Sequence, residues 1–354
     1  HPEWRSLPRY FKEQGYTTLR TGKIFHGGID DHEAWDQGGE PRTFEGANQP
    51  PRPGQNPQLS DRIVTLEGDG EGHVDYRTAS RAIQYLEQPH TRPFFLACGF
   101  AKPHSPPTAP RRFLELYDPA RIPLPPDFAP RPTVPEGFPA PSVPARNSDL
   151  FIGRDASPEE AREMIRAYYA SVSWMDWNVG RVLDALDRLN LRRKTIVLFW
   201  GDHGYHLGEK GKWSKHGSLF EVGTRVPLLV HVPGVLGNGQ RCRRVVQSLD
   251  LYPTLTELCG LPAPAGLHGA SLVPLLRNPN AVWDRPAYTV AGNRAQGRAV
   301  RNDRYRYAEW EGQTGGALLF DTREDPYELK NLAQDPAYAE VRAKMAGLLR
   351  ELPK

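Results

Sequence analysis

The middle of the sequence contains a long amphipathic segment that is followed closely by a short apolar one. Ser157 and Glu160 have the spacing of a capping box, with proline at the first helical position. Apolar residues then recur at alternating steps of three and four from Ile165 to Leu186, which predicts one face of a helix of about eight turns. The apolar residues 195–200 predict a buried strand. A helix and a buried strand in this order favour a sheet that is covered by helices.

The rest of the chain repeats this alternation of strand and helix. The further predicted strands cover residues 16–20, 93–98 and 226–232, and the further helices begin near Ser6, Asp75 and Asp250. Alternating elements predict an α/β fold with a mainly parallel sheet sandwiched by helices. We expect this domain to cover residues 1–285. Strand-like runs and a terminal helix over 339–352 predict a small C-terminal α+β subdomain over residues 286–354.

Composition excludes several classes of protein. The formal net charge of the 354-residue chain is only +3, which argues against nucleic acid as a partner. The longest apolar run, residues 93–101, is far shorter than the ~20 residues of a membrane-spanning helix. The three cysteines are too few for a disulfide scaffold. Cys98 is expected to be a buried free thiol, whereas the sequence leaves open whether Cys242 and Cys259 pair.

One segment is unusually rich in proline. Fourteen prolines lie between residues 103 and 144, which excludes a helix or a central strand there. The same segment contains several large apolar residues, so we expect a long loop laid over a domain surface. Long loops in compact chains often carry functional residues.

Polar side chains follow three of the predicted strands, and in an open α/β sheet ligands bind beyond the carboxyl ends of the strands. The clusters are Lys23 with His26, Lys102 with His104, and Asp202 with His203, the last followed by Lys215. A carboxylate and an imidazole at a strand tip suit a divalent metal, and the flanking glycines allow a close approach. The alternative is that Asp202 caps the next element and His203 lies on the surface, because two-residue motifs are weak.

Each lysine–histidine pair taken alone is typical of a solvated loop. Convergence at the strand ends is more specific, because three lysines and three histidines would form a cationic pocket around a metal. Such a pocket suits an anionic tetrahedral group, either sulfate or phosphate.

Ordered motifs along the chain resemble the sulfatases of the alkaline phosphatase superfamily, most of all the iduronate 2-sulfatase-like branch. The motifs are TGKIFH (21–26), KPH (102–104), GDHGYHLGE (201–209), WSK (213–215), SLDLYPTL (248–255), LHGASL (267–272) and LFDTREDPYE (319–328). They are specific only together and in this order. The resemblance implies an alkaline phosphatase-like fold and hydrolysis of a sulfuric ester, with a sulfated carbohydrate as the expected substrate.

The resemblance also implies roles for the matching residues. Asp202 and His203 match metal ligands, usually for calcium. Lys23 matches a lysine that stabilises the oxyanion of the nucleophile, and His26 matches a histidine that helps the covalent intermediate to break down. His104 matches a histidine beside the leaving-group oxygen, which makes it a candidate general acid.

The substrate-binding expectations are less specific than the catalytic ones. Lys215 matches a lysine that binds the sulfate, and Lys102 is a substrate-binding candidate expected beside the groups that contact the sulfate. Aromatic side chains in the loops could form a substrate wall, with loop packing as the alternative for each. These candidates are Trp35, Phe44, Tyr205, His206 and Trp213.

The nucleophile is the main departure from the family pattern. Sulfatases use a formylglycine made from Cys or Ser in a C/S-x-P-x-R motif upstream of the Lys23 motif, and none of the three cysteines has that context. We expect the nucleophile segment to precede residue 1, so that these 354 residues alone are inactive. The alternative is a carbohydrate-binding relative without catalytic activity.

The metal is a second departure. Many sulfatases have Asn where His203 stands, and imidazole suits zinc or manganese better than calcium. Calcium remains the first expectation because the iduronate-type branch shares the Asp–His pair, with Mn²⁺ or Zn²⁺ as alternatives. Phosphonate monoester and phosphodiester hydrolases of the same superfamily carry a similar Asp-His-Gly and are the alternative enzymes.

Overall fold

The structure, a computed structural model, describes residues 4–26, 29–38, 61–291, 297–310 and 316–352. The chain divides into two compact units. The first unit comprises His1–Leu124, Asp149–Gly153 and Ser157–Thr195, and the second comprises Pro125–Ser148, Arg154–Ala156 and Ile196–Lys354. The predicted domain boundary at residues 285/286 lies inside the second unit and stays a prediction.

In the first unit, short parallel strand pairs alternate with helices. The helices are α1 (Leu7–Glu13), α2 (Val74–Glu87), α3 (Arg111–Leu114) and α4 (Pro158–Arg188). The strands are β1 (Thr17–Gly22), β2 (Val64–Leu66), β3 (Phe94–Gly99) and β4 (Thr108–Pro110). Strand β1 pairs with β3 and β2 pairs with β4, both in parallel. The carboxyl ends of paired parallel strands therefore lie at a common edge.

The long helix α4 begins as its capping box predicts. The Ser157 Oγ accepts a hydrogen bond from the Glu160 N–H, and the Glu160 Oε2 accepts one from the Ser157 N–H. Farther along α4, Trp174 is fully buried in an apolar cluster with Phe113 of α3. The buried face of α4 therefore differs from the predicted apolar face, of which only the first and last residues are buried.

Helix α2 begins close to its predicted start. Its N-cap is His73, whose Nδ1 accepts a hydrogen bond from the Asp75 N–H at 3.1 Å. The start predicted near Asp75 is correct to one residue, but the expectation that Asp75 caps the helix is wrong, because its carboxylate accepts hydrogen bonds from the backbone of Ala101 and Lys102 instead. Asp75 therefore ties α2 to the loop that follows β3.

The second unit combines one small sheet with a larger antiparallel one. Its first elements are β5 (Val197–Trp200), α5 (Glu221–Thr224), β6 (Leu228–His231), α6 (Leu251–Leu258) and α7 (Val273–Arg277). They are followed by β7 (Ala287–Ala291), β8 (Gly297–Arg301), β9 (Tyr305–Trp310), β10 (Ala317–Asp321) and α8 (Ala339–Leu349). Strands β5 and β6 pair antiparallel, and the last four strands form an antiparallel sheet in the order β10-β9-β8-β7. Buried residues of α8 pack against that sheet.

The predicted α/β class is confirmed, since parallel strand pairs and helices alternate through the first unit. The terminal helix ends at Leu349, earlier than predicted. All three cysteines are free thiols, so Cys242 and Cys259 are not paired. Within the described ranges, no helix combines the length and the apolar character that crossing a membrane requires.

Candidate active site

Two glycines end the paired strands β1 and β3 and lie opposite each other in the register. Gly22 has a φ of +73°, and a Cβ at this position would lie 1.9 Å from the Gly99 carbonyl oxygen. A Cβ on Gly99 would lie 1.7 Å from the Lys23 carbonyl oxygen, and the Lys23 N–H donates to the Gly99 carbonyl at 2.8 Å. Only glycine permits this approach. The segment carrying Lys23 and His26 therefore leaves the sheet beside the loop that follows β3.

The buried Asp75 carboxylate anchors the backbone of the loop after β3. The Asp75 Oδ1 and Oδ2 accept hydrogen bonds from the N–H groups of Ala101 at 2.9 Å and Lys102 at 2.8 Å. The Lys102 Nζ donates to the carbonyls of His104 and Pro106, each at 2.8 Å, and burial lowers the pKa of Lys102 to about 8. Lys102 is only 4% exposed. The expectation that Lys102 binds substrate is therefore corrected, because its ammonium group holds the loop backbone.

His104 is half-buried at the tip of this loop. Its Nδ1 lies 2.9 Å from the Ser105 carbonyl oxygen, which can only accept a hydrogen bond. Nδ1 therefore carries a proton, and Nε2 is the ring nitrogen that can exchange a proton with a bound group. The Ser105 Oγ lies 3.4 Å from the same Nδ1 and donates to the Asp149 carboxylate.

In the second unit, Asp202 and His203 follow the carboxyl end of β5. The Asp202 Oδ1 accepts a hydrogen bond from the His203 N–H at 3.0 Å, and its Oδ2 lies 3.7 Å from the His203 Nε2. The His203 Nδ1 donates to the Gly204 carbonyl at 2.8 Å, which places the lone pair of the neutral ring on Nε2. The two side chains are 69% and 36% exposed. They are thus accessible and offer a carboxylate oxygen and an imidazole nitrogen.

These two donors fit part of a divalent metal site. Carboxylate oxygen suits calcium, whereas imidazole nitrogen suits zinc or manganese. In the part of the chain that the structure describes, no three His, Cys, Asp or Glu side chains cluster as a metal site. Asp202 and His203 would therefore supply two ligands of a larger set.

Close backbone packing fixes the turn that carries this pair. The Gly204 N–H donates to the Gly223 carbonyl at 3.0 Å, and a Cβ on Gly204 would lie 2.1 Å from the Val222 carbonyl oxygen. The Gly201 N–H donates to the Pro227 carbonyl at 3.2 Å. The glycines beside the Asp–His pair thus let it lie directly against the neighbouring backbone, as the sequence suggests.

The segment after the Asp–His pair is packed inward. His206 is fully buried with its Nε2 2.7 Å from the Ser218 Oγ, and burial lowers its pKa well below the usual value. Trp213 is fully buried as well, and its backbone N–H donates to the Asn147 Oδ1 at 2.9 Å. The expectation that His206 and Trp213 contact substrate is therefore wrong, because both rings are buried in the interior of the protein. Tyr205 is half-buried, and its hydroxyl donates to the Trp213 carbonyl at 3.2 Å.

Of the two remaining aromatic candidates, Trp35 does not form a substrate wall. Trp35 is buried, with the Arg20 guanidinium 5.5 Å from its ring centroid. Phe44 lies outside the described residues.

Three lysines of one loop have different surroundings. Lys215 is half-buried, and the Lys210 Nζ donates to the Asp127 carboxylate at 2.7 Å. Lys212 is fully buried; its Nζ donates to the His216 carbonyl at 2.7 Å, and burial lowers its pKa to about 7. Sequence reasoning singled out Lys215 and missed Lys212, because spacing within a polar loop does not reveal which lysine points inward.

We expect Lys212→Met to stabilise the protein at pH 6 and to lose part of that advantage by pH 9. The ordinary lysine pKa of 10.5 exceeds the folded value of about 7, so the unfolded wild type binds more protons between these values. The wild-type free energy of unfolding therefore rises with pH in this window. The difference between variant and wild type should shrink by on the order of 2–3 kcal/mol in urea unfolding.

The exposed Lys330 supplies the control for this experiment. Lys330→Met should change the free energy of unfolding by a small amount that is independent of pH. A pH-independent difference for Lys212→Met would contradict a buried, readily deprotonated Lys212.

One serine satisfies the nucleophile pattern by sequence alone, since residues 142–146 are SVPAR. Ser142 lies at the end of the 3₁₀ turn Ala140–Ser142 and is fully buried. Its neighbour Val143 packs in the core with Leu219 and Phe220. A nucleophile must reach its substrate. Because Ser142 is buried in the core, the structure does not support it as the nucleophile.

Two family models together account for the chain. Residues 2–261 match the sulfatase model, and residues 208–354 match the model of the C-terminal region of N-sulphoglucosamine sulphohydrolase. The chain belongs to the sulfatase family. Sulfatases use a metal and a formylglycine nucleophile, which fits the exposed Asp202–His203 pair as a partial ligand set.

Individual sulfatases share about a third of the sequence. A sulfatase of Formosa agariphila is 32% identical over 363 residues, covering 98% of this chain and 69% of the relative. Human iduronate 2-sulfatase is 33% identical over 314 residues, covering 73% of this chain and 55% of the relative. The chain therefore spans little more than half the length of the human enzyme.

The sulfatase fold is also found among solved structures. Phosphonate monoester hydrolase of Agrobacterium radiobacter superposes with a TM-score of 0.78 at 22% identity, covering 99% of this chain and 80% of that structure. This likeness supports the alkaline phosphatase-like architecture that the motifs predict.

Proposed function

We propose that the protein hydrolyses sulfuric esters of carbohydrates. The observation that carries the proposal is the shared edge of β1 and β3, where paired glycines bring the segment of Lys23 and His26 beside the loop of His104. A cationic side chain and imidazoles at one strand edge suit an anionic ester. The residues proposed to act in catalysis are Lys23, His26, His104 and Lys215.

The chemistry of the reaction assigns these side chains different tasks. Breaking the S–O bond moves negative charge onto the ester oxygen, and the sulfuryl oxygens stay anionic throughout. Lys215 would bind the sulfuryl group, and Lys23 would stabilise the oxyanion of the nucleophile. His104 would donate the proton on Nε2 to the departing alcohol while its Nδ1–H stays bonded to the Ser105 carbonyl.

Asp202 and His203 would hold a divalent metal in this proposal, with calcium first and Mn²⁺ or Zn²⁺ as alternatives. When bound, such a metal supplies Lewis-acid stabilisation of the sulfuryl oxygens. The exposure of both side chains supports a ligand role over a packing role. Tyr205, at the start of the following segment, remains a candidate for contact with the substrate.

The substrate class is proposed from the relatives. Iduronate 2-sulfatase, by its name, acts on a sulfated sugar acid, and this chain is 33% identical to the human enzyme. We therefore propose a sulfated carbohydrate as the substrate. The nucleophile would be a formylglycine, as in the family, and Ser142 is not proposed for it because it is buried.

The test is a comparison of ester classes with the enzyme expressed from its full coding sequence. We expect kcat/KM for an aryl sulfate to exceed that for the matched aryl phosphonate monoester by at least about 100-fold. The two substrates share a leaving group, so the ratio reports on the transferred group alone. A ratio below 1 would favour the phosphonate hydrolase alternative. Binding of sulfated glycans without turnover of either ester would favour a carbohydrate-binding protein.

A further inference from the structure

We propose that Ser105 and Asp149 are positioning residues that orient the His104 imidazole and stabilise its protonated form. The inference rests on the proposed function, in which His104 protonates the leaving group. A chain of hydrogen bonds runs from the Nδ1 side of the His104 ring, away from Nε2, through Ser105 to Asp149.

The His104 ring contacts Ser105 through its Nδ1. The His104 Nδ1 donates to the Ser105 carbonyl at 2.9 Å and lies 3.4 Å from the Ser105 Oγ. Because the same residue presents both oxygens, the ring plane and the tautomer are set together. Ser105 is only 8% exposed, which shields these contacts from competing water.

Ser105 is in turn linked to the carboxylate of Asp149. The Ser105 hydroxyl donates its proton to Asp149, so its lone pairs face the His104 Nδ1–H. A hydroxyl polarised by an anion is a better acceptor, and the negative charge of Asp149 favours the imidazolium over the neutral ring. Asp149 thus acts on His104 through one hydroxyl.

The segment that carries Asp149 is anchored by the two residues that follow it. Asp149 immediately precedes Leu150 and Phe151, both of which are buried in the first unit. The Phe151 N–H donates to the Asp61 carboxylate, and Phe151 has a φ of +51°. The backbone of this segment is therefore anchored on one side of Asp149, and its carboxylate is held against the loop.

Positive charges around the loop oppose protonation of His104, and Asp149 counters them. Lys102 donates its ammonium hydrogen bond to the His104 carbonyl, and Arg62 adds a second positive charge nearby. Both cations disfavour a protonated imidazole. The buried Asp75 partly offsets Lys102, but its oxygens are occupied by backbone amides. His73 is also close to Lys102, and burial lowers its pKa to about 4, so it is neutral at pH 7 and adds no further positive charge.

The primary test measures the titration of His104 by NMR in histidine-labelled protein, with the signal assigned by its loss in His104→Gln. We expect Asp149→Asn and Ser105→Ala each to lower the pKa of His104 by about 0.5–1 unit. Ser105→Thr, which keeps the hydroxyl, should restore the wild-type value. Asp155→Asn removes a carboxylate that pairs with Arg131 at 2.6 Å and should leave the His104 titration unchanged.

A second readout connects the inference to catalysis. Asp149→Asn should shift the alkaline limb of the pH–rate profile for a sugar sulfate downward by the same amount, with little shift for an aryl sulfate. If wild type hydrolyses no sulfate ester, the proposed function fails while the NMR titration still decides the positioning role. An unchanged His104 titration in both Ser105→Ala and Asp149→Asn would overturn the inference. If Asp149→Asn does not fold, the contrast between Ser105→Ala and Ser105→Thr decides it.

Discussion

His104→Ala should slow the hydrolysis of a sugar sulfate by about 10²–10⁴-fold, and that of an activated aryl sulfate by less than about tenfold. A sugar alkoxide is a poor leaving group and needs a proton as the S–O bond breaks, whereas a nitrophenolate leaves without one. The His104 Nδ1–H donates to the Ser105 carbonyl, so Nε2 is the atom that can deliver this proton. The measurement is kcat/KM for both esters in the enzyme expressed from its full coding sequence.

A matched histidine separates this role from a general effect on folding. His268 is exposed, and His268→Ala should leave both rates unchanged. Circular dichroism and thermal unfolding would show that both variants fold. Equal losses on the two esters for His104→Ala would reject the general-acid role and leave His104 as a residue that only binds the sulfate.

Local features of the fold could be predicted where the interacting residues are close in sequence. The capping box of Ser157 and Glu160 spans three positions, and the structure contains both of its hydrogen bonds. The buried strands could also be located, because a run of apolar residues indicates a strand without any knowledge of its partner. The pairing of β1 with β3 could not be predicted from either strand alone, because the two strands lie far apart in the sequence. Predicting it requires the fold class as well.

The supports of the candidate site could not be predicted, because they are non-local. Asp75 has the position of a helix cap, yet its carboxylate accepts hydrogen bonds from residues 101 and 102 on another element. Trp213 resembles an exposed loop aromatic, yet it is fully buried and its backbone N–H donates to Asn147. No periodicity or spacing reports contacts of this kind.

Lysines show the same limit most clearly. Lys102, Lys212 and Lys215 all occur in polar motifs, and nothing in the sequence distinguishes the buried ones from the accessible one. Burial separates them, since Lys102 and Lys212 are bonded to backbone carbonyls and have lowered pKa values, of about 8 and about 7. A motif therefore indicates which loop carries the chemistry more reliably than which side chain performs it.

Asp202→Ala should weaken the binding of a divalent metal by at least about 100-fold and reduce sulfate-ester hydrolysis by a comparable factor. The Asp202 side chain is 69% exposed and takes no part in the core, so the free energy of unfolding without metal should change by less than about 0.5 kcal/mol. Metal content and calorimetric titration with Ca²⁺, Mn²⁺ and Zn²⁺ measure binding independently of activity. Asp176→Ala, an exposed aspartate of α4, is the control.

The effect of His203→Asn on metal affinity then distinguishes a calcium site from a zinc or manganese site. An amide oxygen is a good ligand for calcium and a poor one for zinc, so a calcium site should keep its affinity within about tenfold. A zinc or manganese site should lose affinity because the imidazole nitrogen is gone. The Asp202 Oδ2 and the His203 Nε2 lie 3.7 Å apart and could contact one cation, so losing either should weaken binding of a metal that prefers nitrogen. Full metal affinity in Asp202→Ala would exclude Asp202 from the ligand set, whichever metal the enzyme uses.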